Sequence, residues 1–230
     1  MERRSYLTTL GATGIAAAAG CLTGLFESAP EETVLAAPDD QLADSQDLAY
    51  PAYGEEFPSF ELPDATSDAV IDTDELDTPA LSTAFFASCP AECGILLNNL
   101  AAIQRELIDR GLTEEIQFLP ITFDPARDDE EKLRENAETV GVDMEAGNWH
   151  HLRPADAEEA EAIVTDQLGV GYERTDDSER TVGYDFTHIV VTWLVNPDGV
   201  VERVYRGEFL DQGRVIDDVE TLIEEYESGD

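Results

Sequence analysis

One stretch of this sequence narrows the fold more than any other. Residues 80–86, Ala-Leu-Ser-Thr-Ala-Phe-Phe, form a short continuous apolar run that ends at Ser88-Cys89-Pro90. Its length and its boundaries fit a buried strand. Leu96, Leu100, Ile103 and Leu107 then recur at intervals of 4, 3 and 4, which is the apolar stripe of a helix, and Gly111 stops it. A second core strand follows at 116–123. Strand, helix and strand in such close succession predict a layered α/β fold.

The rest of the chain extends the pattern. Residues 57–62 read as an edge strand and 70–71 as a short second one. After 123 comes Asp124-Pro125-Ala126-Arg127-Asp128, then a helix through Leu133, Ala137 and Val140. Residues 155–168 predict an acidic helix with Ala160, Ile163, Val164 and Leu168 inward; the charge run at 156–161 is its solvated face. Residues 186–195 read as one strand, Asn196-Pro197-Asp198-Gly199 as a tight turn, and 200–205 as the hairpin partner. A last helix places Val215, Val219, Leu222 and Tyr226 on one face. No internal repeat is present. The order matches the thioredoxin arrangement, an α/β fold with a central mixed sheet flanked by helices. In that arrangement a cysteine site lies between the first core strand and the following helix, where Cys89 falls.

Charge bounds the partners. The 230 residues carry 52 Asp plus Glu against 13 Lys plus Arg, a formal charge of -39, with Lys132 the single lysine and no basic residue between positions 4 and 105. Such a polyanion repels nucleic acid and an anionic membrane surface. Its self-repulsion fades when salt shortens the screening length to about 3 Å near 1 M. The acidity is therefore expected to be an adaptation to a saline medium. Apolar residues at 42% still allow a real core.

The first 21 residues read as an address. Arg3-Arg4 precedes the uncharged stretch 7–20, which is shorter than the roughly 20 residues a spanning helix needs. Twin arginines followed by Ser-Tyr-Leu resemble a twin-arginine export signal, and Ala-Ala-Gly-Cys resembles a lipobox with Cys21 as the lipidated residue. An uncleaved anchor is the alternative. Residues 22–55 read as a flexible acidic tether and 56–230 as the folded domain. The domain is expected outside the cytoplasm, on the outer face of the cell membrane, touching it through the lipid anchor only.

With Cys21 set aside, Cys89 and Cys93 remain, four positions apart. A pair closing so small a loop is a weak staple and a better chemical site. Amide N–H groups and the dipole at a helix start favour a thiolate, the form that attacks disulfides and binds soft metals. Three residues intervene where thioredoxin-like reductases have two. Peroxidases of this fold carry a threonine three residues before the reactive cysteine; here that position is Phe86. A plain loop disulfide is the structural alternative.

Phe85-Phe86-Ala87-Ser88-Cys89-Pro90-Ala91-Glu92-Cys93 resembles the signature of the Sco/SenC family, proteins of cytochrome c oxidase assembly. The likeness continues through 121–128, through Trp149 and 168–172, and through Tyr184-Asp185-Phe186-Thr187-His188 with the turn at 196–199. It covers about residues 56–226. The resemblance implies a thioredoxin-like fold and copper held by Cys89, Cys93 and His188, with Asp124 supporting the ligands from behind; a simple turn cap at the strand end is the alternative for Asp124. Two thiolates and an imidazole suit Cu(I), and the imidazole also accepts Cu(II). Gly94 and Ile189 depart from the residues many members carry, without removing a ligand. From the residues alone, His188 reads equally well as a buried structural histidine. His150 and His151 are adjacent, so on a strand they point to opposite faces and do not share one ion. The implied role is a membrane-tethered copper-binding protein that helps assemble the dinuclear copper site of a haem–copper oxidase, with that oxidase's copper-site subunit as partner. The rival is a thiol–disulfide oxidoreductase using Cys89 and Cys93 as its redox pair without metal.

Overall fold

The computed structural model describes residues 32–89, 92–175 and 184–229. Residues 1–31, on which the expected export signal, Cys21 and the start of the expected tether fall, lie outside the described residues. Among those described, no helix is long and apolar enough to cross a membrane.

A four-stranded mixed sheet forms the centre, in the order β4-β3-β7-β8. Strand β3 (Ala80–Phe85) runs parallel to β4 (Gln117–Thr122) and antiparallel to β7 (Val191–Val195), which pairs antiparallel with β8 (Val201–Arg206). Every residue of β3 and of β7 is buried, as helices flanking the sheet require. The register pairs Phe85 with Thr122, so β3 and β4 end side by side at one edge, and whatever follows either strand meets there.

Helix α1 (Glu92–Asp109) crosses from β3 to β4. Leu96, Leu100, Ile103 and Leu107 are all at most 1% exposed, as their spacing predicts. Each contributes about 1.5–3 kcal/mol of burial. Gly111 ends the helix with a left-handed φ of 82°, while the Leu112 N–H reaches back to the Leu107 carbonyl at 2.9 Å. Helix α2 (Glu130–Val140) starts on Asp129, whose carboxylate accepts the Lys132 N–H. Helix α4 (Gln212–Gly229) packs against α1. The edge strand expected at 57–62 is shorter: β1 (Glu61–Pro63) pairs with β2 (Val70–Asp72), and Phe57 and Phe60 enter the core ahead of it.

Two further local expectations give way. The acidic helix begins as α3 (Ala157–Ala160) but widens into a π-helix over Glu161–Gln167. Ala160, Ile163, Val164 and Leu168 still face inward. The strand read across 186–195 breaks at Ile189-Val190 into β6 (Asp185–His188) and β7, and β6 leaves the central sheet to pair with β5 (Tyr172–Thr175). Ile189 and Val190 continue the apolar run through the break, so hydrophobicity alone does not reveal it.

The tether differs most. Residues 32–55 lie along the domain, with Leu35, Ala52 and Tyr53 buried. The Val34 and Leu35 N–H groups donate to the fully buried Glu202 carboxylate at 2.8 and 3.0 Å. The Trp193 indole donates to the Pro51 carbonyl at 2.9 Å. A Cβ on Gly169 would stand 1.7 Å from the Ala49 carbonyl oxygen, so only glycine lets this segment pass. A few apolar anchors and satisfied main-chain groups hold what composition alone reads as free chain.

Candidate metal centre

The two cysteines straddle the β3–α1 turn at the edge where β3 and β4 end. The Cys89 N–H donates to the Phe86 carbonyl at 3.2 Å, and the Cys93 N–H donates to the Cys89 sulfur at 3.3 Å. Cys89 is half-buried, whereas Cys93, in the first turn of α1, is 2% exposed. The two are thiols and form no disulfide. Cys89 Sγ also lies 3.8 Å from the Glu92 carboxylate.

The sequence reading has the helix start favouring thiolates, and for Cys93 the outcome is the reverse. Its thiol is pushed far above the ordinary range, first by its hydrogen bond to Cys89, then by burial and by charge on the Cys89 sulfur. The helix terminus is outweighed, and the pair retains a proton on its inner member.

That proton has a second acceptor. His188 Nε2 lies 3.4 Å from Cys93 Sγ, while its Nδ1 lies 2.9 Å from the Ile189 carbonyl. A carbonyl only accepts, so Nδ1 carries the ring proton and the Nε2 lone pair faces the sulfur. Cys93 thus links the two elements, hydrogen-bonded to Cys89 across the β3–α1 turn and set against the His188 imidazole of the β5–β6 hairpin. Among the described residues, no three His, Cys, Asp or Glu side chains already stand grouped to hold a metal ion. The donors are at hydrogen-bond spacing, and a metal would take the place of the thiol protons. The donor types fit copper: soft sulfur for Cu(I), with an imidazole acceptable to both oxidation states.

The hairpin reaches the site through aromatic contacts. Phe186 sits edge-on to Phe86 and Phe123, with ring centroids at 5.2 and 5.3 Å. His188 packs on the same two rings, 5.1 Å from Phe123 and 6.0 Å from Phe86. Phe86, at the position where a peroxidase needs a hydroxyl, is 1% exposed and serves as the floor of this cluster.

Asp124 is nearly buried, but its partners are not Cys89, Cys93 or His188. Its carboxylate accepts the Tyr184 hydroxyl at 2.9 Å and pairs with the Arg127 guanidinium. It therefore bears on His188 through the hairpin. Asp128 is a residue that sequence reasoning passed over. It is 0% exposed, and its carboxylate accepts the Ala87 N–H at 2.9 Å and the Thr122 hydroxyl, pinning the thiol turn to the end of β4. Burial raises its pKa to about 6. The available signal was a second aspartate beside Asp129, which already caps α2. His150 and His151 do point apart. His150 meets Asp64 at 3.2 Å, whereas His151 is fully buried, accepts the Trp149 indole N–H at 3.3 Å, and is lowered by burial to about 4.

The SCO1/SenC family model matches residues 51–224. Against curated proteins the sequence has no match. Among solved structures, a SCO1/SenC family lipoprotein from Bacillus anthracis is 19% identical, with a TM-score of 0.61 over 73% of this chain and 94% of that one. Arabidopsis thaliana ScoI with copper bound is 19% identical, with a TM-score of 0.60 over 76% of this chain and 99% of that one. BsSco, a Sco-family cytochrome c oxidase assembly protein with a disulfide switch, is 17% identical, with a TM-score of 0.58 over 74% and 94%. At these identities the likeness establishes the thioredoxin-like fold.

Proposed function

The chain belongs to the SCO1/SenC family, and on that premise we propose that it binds copper through Cys89, Cys93 and His188 and serves assembly of the dinuclear copper site of a haem–copper oxidase. The observation that carries the reading is the His188 imidazole, held with its Nδ1 proton on the Ile189 carbonyl and its Nε2 lone pair on Cys93. A dithiol reductase has no need of a histidine so oriented. Copper here is cargo. The half-buried Cys89 sulfur, more accessible than the buried Cys93, is the donor a recipient reaches first, and Cys93 and His188 behind it hold the ion until exchange of ligands is complete. The partner would be the oxidase subunit that receives the copper. Export, a lipid anchor at Cys21 and a saline outer face complete the proposal, supported by the residues at 1–21 and the charge of -39.

One observation favours a second reading. The half-exposed Cys89 beside a buried, proton-retaining Cys93 is also the asymmetry of an attacking and a resolving thiol. A dithiol oxidoreductase acting on the oxidase subunit's cysteines would use that pair alone. The deciding experiment replaces the chain in its host by His188→Ala. Under the copper reading, oxidase activity falls to the level of the deletion strain; normal oxidase with His188→Ala would establish the dithiol reading instead.

A further inference from the structure

The β5–β6 hairpin forms its own two-stranded sheet, separate from the central four strands. An isolated two-stranded hairpin has little stability of its own, so the position of His188 depends on what its side chains grip. Tyr184, Phe186 and His188 alternate along one strand direction and therefore share one face. Fixing the first of them orients the last.

The Tyr184 ring is gripped in an unusual way. The Arg127 guanidinium lies 3.7 Å from its centroid and the Arg174 guanidinium 3.9 Å. Two groups that close would overlap on one face, so they take opposite faces of the ring. Arg127 follows β4 in the body of the domain, and Arg174 lies on β5 of the hairpin. Arg127 also donates to the Tyr184 carbonyl at 2.9 Å and is held by Asp124, which accepts the Tyr184 hydroxyl at 2.9 Å. With 52 carboxylates and only 13 Lys plus Arg in the chain, two cations stacked on one neutral ring are a pointed use of scarce charge.

We propose that Tyr184, stacked between Arg127 and Arg174, is the latch that holds the hairpin down and thereby keeps His188 against Cys93. It is a positioning residue, and releasing it withdraws the nitrogen donor while leaving the two sulfurs in place. As far as it concerns copper, the proposal rests on the ligand set proposed above. The latch itself concerns the metal-free protein.

The test compares wild type with Tyr184→Leu, Tyr184→Phe and Arg174→Gln in two measurements. The first is the nuclear Overhauser contact between the His188 ring and the Phe86 and Phe123 rings in metal-free protein. The second is Cu(II) titration followed by thiolate-to-copper absorption, with Cu(I) affinity by competition beside it. Tyr184→Leu should lose the His188 contacts and weaken Cu(II) about tenfold or more, with Cu(I) changed less than about threefold because thiolates suffice for it. Tyr184→Phe, which keeps the stack, should recover most of both. Retained contacts and wild-type Cu(II) affinity in Tyr184→Leu would overturn the latch; a Tyr184→Phe as impaired as Tyr184→Leu would overturn the stack as its basis. If Tyr184→Leu does not fold, Arg174→Gln decides: it should lose about threefold in Cu(II) affinity, and no loss overturns the proposal. A wild type that binds no copper would sink the copper reading, while the metal-free contacts would still decide the latch.

Discussion

The central sheet and the β5–β6 hairpin hold their residues in place by different means. Strand β3 has hydrogen-bonded neighbours on both sides and is buried throughout, and the turn that follows it is pinned by the Asp128 carboxylate on the Ala87 N–H. The hairpin is bound to the body by ring contacts, the Asp124–Arg127 pair and the Tyr184 stack. The proposed sulfur donors, Cys89 and Cys93, stand on the first region and the proposed nitrogen donor, His188, on the second. A copper site of that kind would have two ligands on the sheet edge and one held by the hairpin's contacts, an arrangement suited to an ion taken up and passed on.

The contrast is sharpest in stability. Trp193→Ala removes a fully buried indole from β7, and should cost about 3–5 kcal/mol in denaturant unfolding. His188→Ala, on the hairpin, should stay within about 1 kcal/mol of wild type in the same measurement. Equal losses from the two would erase the distinction between them.

Two buried groups behind the site oppose each other in acid. Asp128 titrates near 6 when folded against about 3.9 when unfolded, so the folded state holds the extra proton between those values. Its contribution therefore falls by about 3 kcal/mol as pH rises from 4 to 6. His151, near 4 when folded against about 6.5 unfolded, does the reverse: its contribution is complete above pH 6.5 and is lost by about 3 kcal/mol as pH falls toward 4. Unfolding free energies measured across pH 4–6.5 should tilt upward with pH, relative to wild type, in Asp128→Asn and downward in His151→Gln. Parallel curves would show that neither carboxylate nor imidazole is buried as described.

Salt should act on the whole and spare the site. With a charge of -39, screening from about 10 Å at 0.1 M to about 3 Å at 1 M should raise the thermal midpoint by several degrees. The Asp124–Arg127 pair is nearly buried and screened little, so Cu(II) affinity should change less than about twofold over the same range. A flat midpoint would contradict the saline adaptation, and a salt-sensitive copper affinity would place the latch on the surface.

Legibility in the sequence follows the same division. The βαβ core was readable because period and burial agree: Leu96, Leu100, Ile103 and Leu107 face inward as spaced, and Gly111 ends their helix. The strand break at Ile189-Val190 was not, because these two residues run on into apolar β7 and the cause lies in rings distant in sequence, Phe86 and Phe123. Residues 32–55 read as tether because the partners that order them, Glu202 and Trp193, are some 140 or more positions away. At the site, the cysteines were legible from their place between strand and helix. His188 needed the family resemblance, and the structure sets it against Cys93. Asp124 was singled out for support of the ligands, and its contacts are with the hairpin. Asp128 was hidden by its neighbour Asp129, which supplies the helix cap that either aspartate's position would explain.

The central claim is that copper is held by two sulfurs from the sheet edge and one nitrogen from the hairpin. X-ray absorption at the copper edge, on wild type and His188→Ala loaded with Cu(I), tests it most directly. The account predicts two sulfurs and one imidazole nitrogen in wild type, and the two sulfurs without the imidazole in the variant. A wild-type spectrum lacking imidazole scattering, or an imidazole shell that survives in His188→Ala, would contradict it.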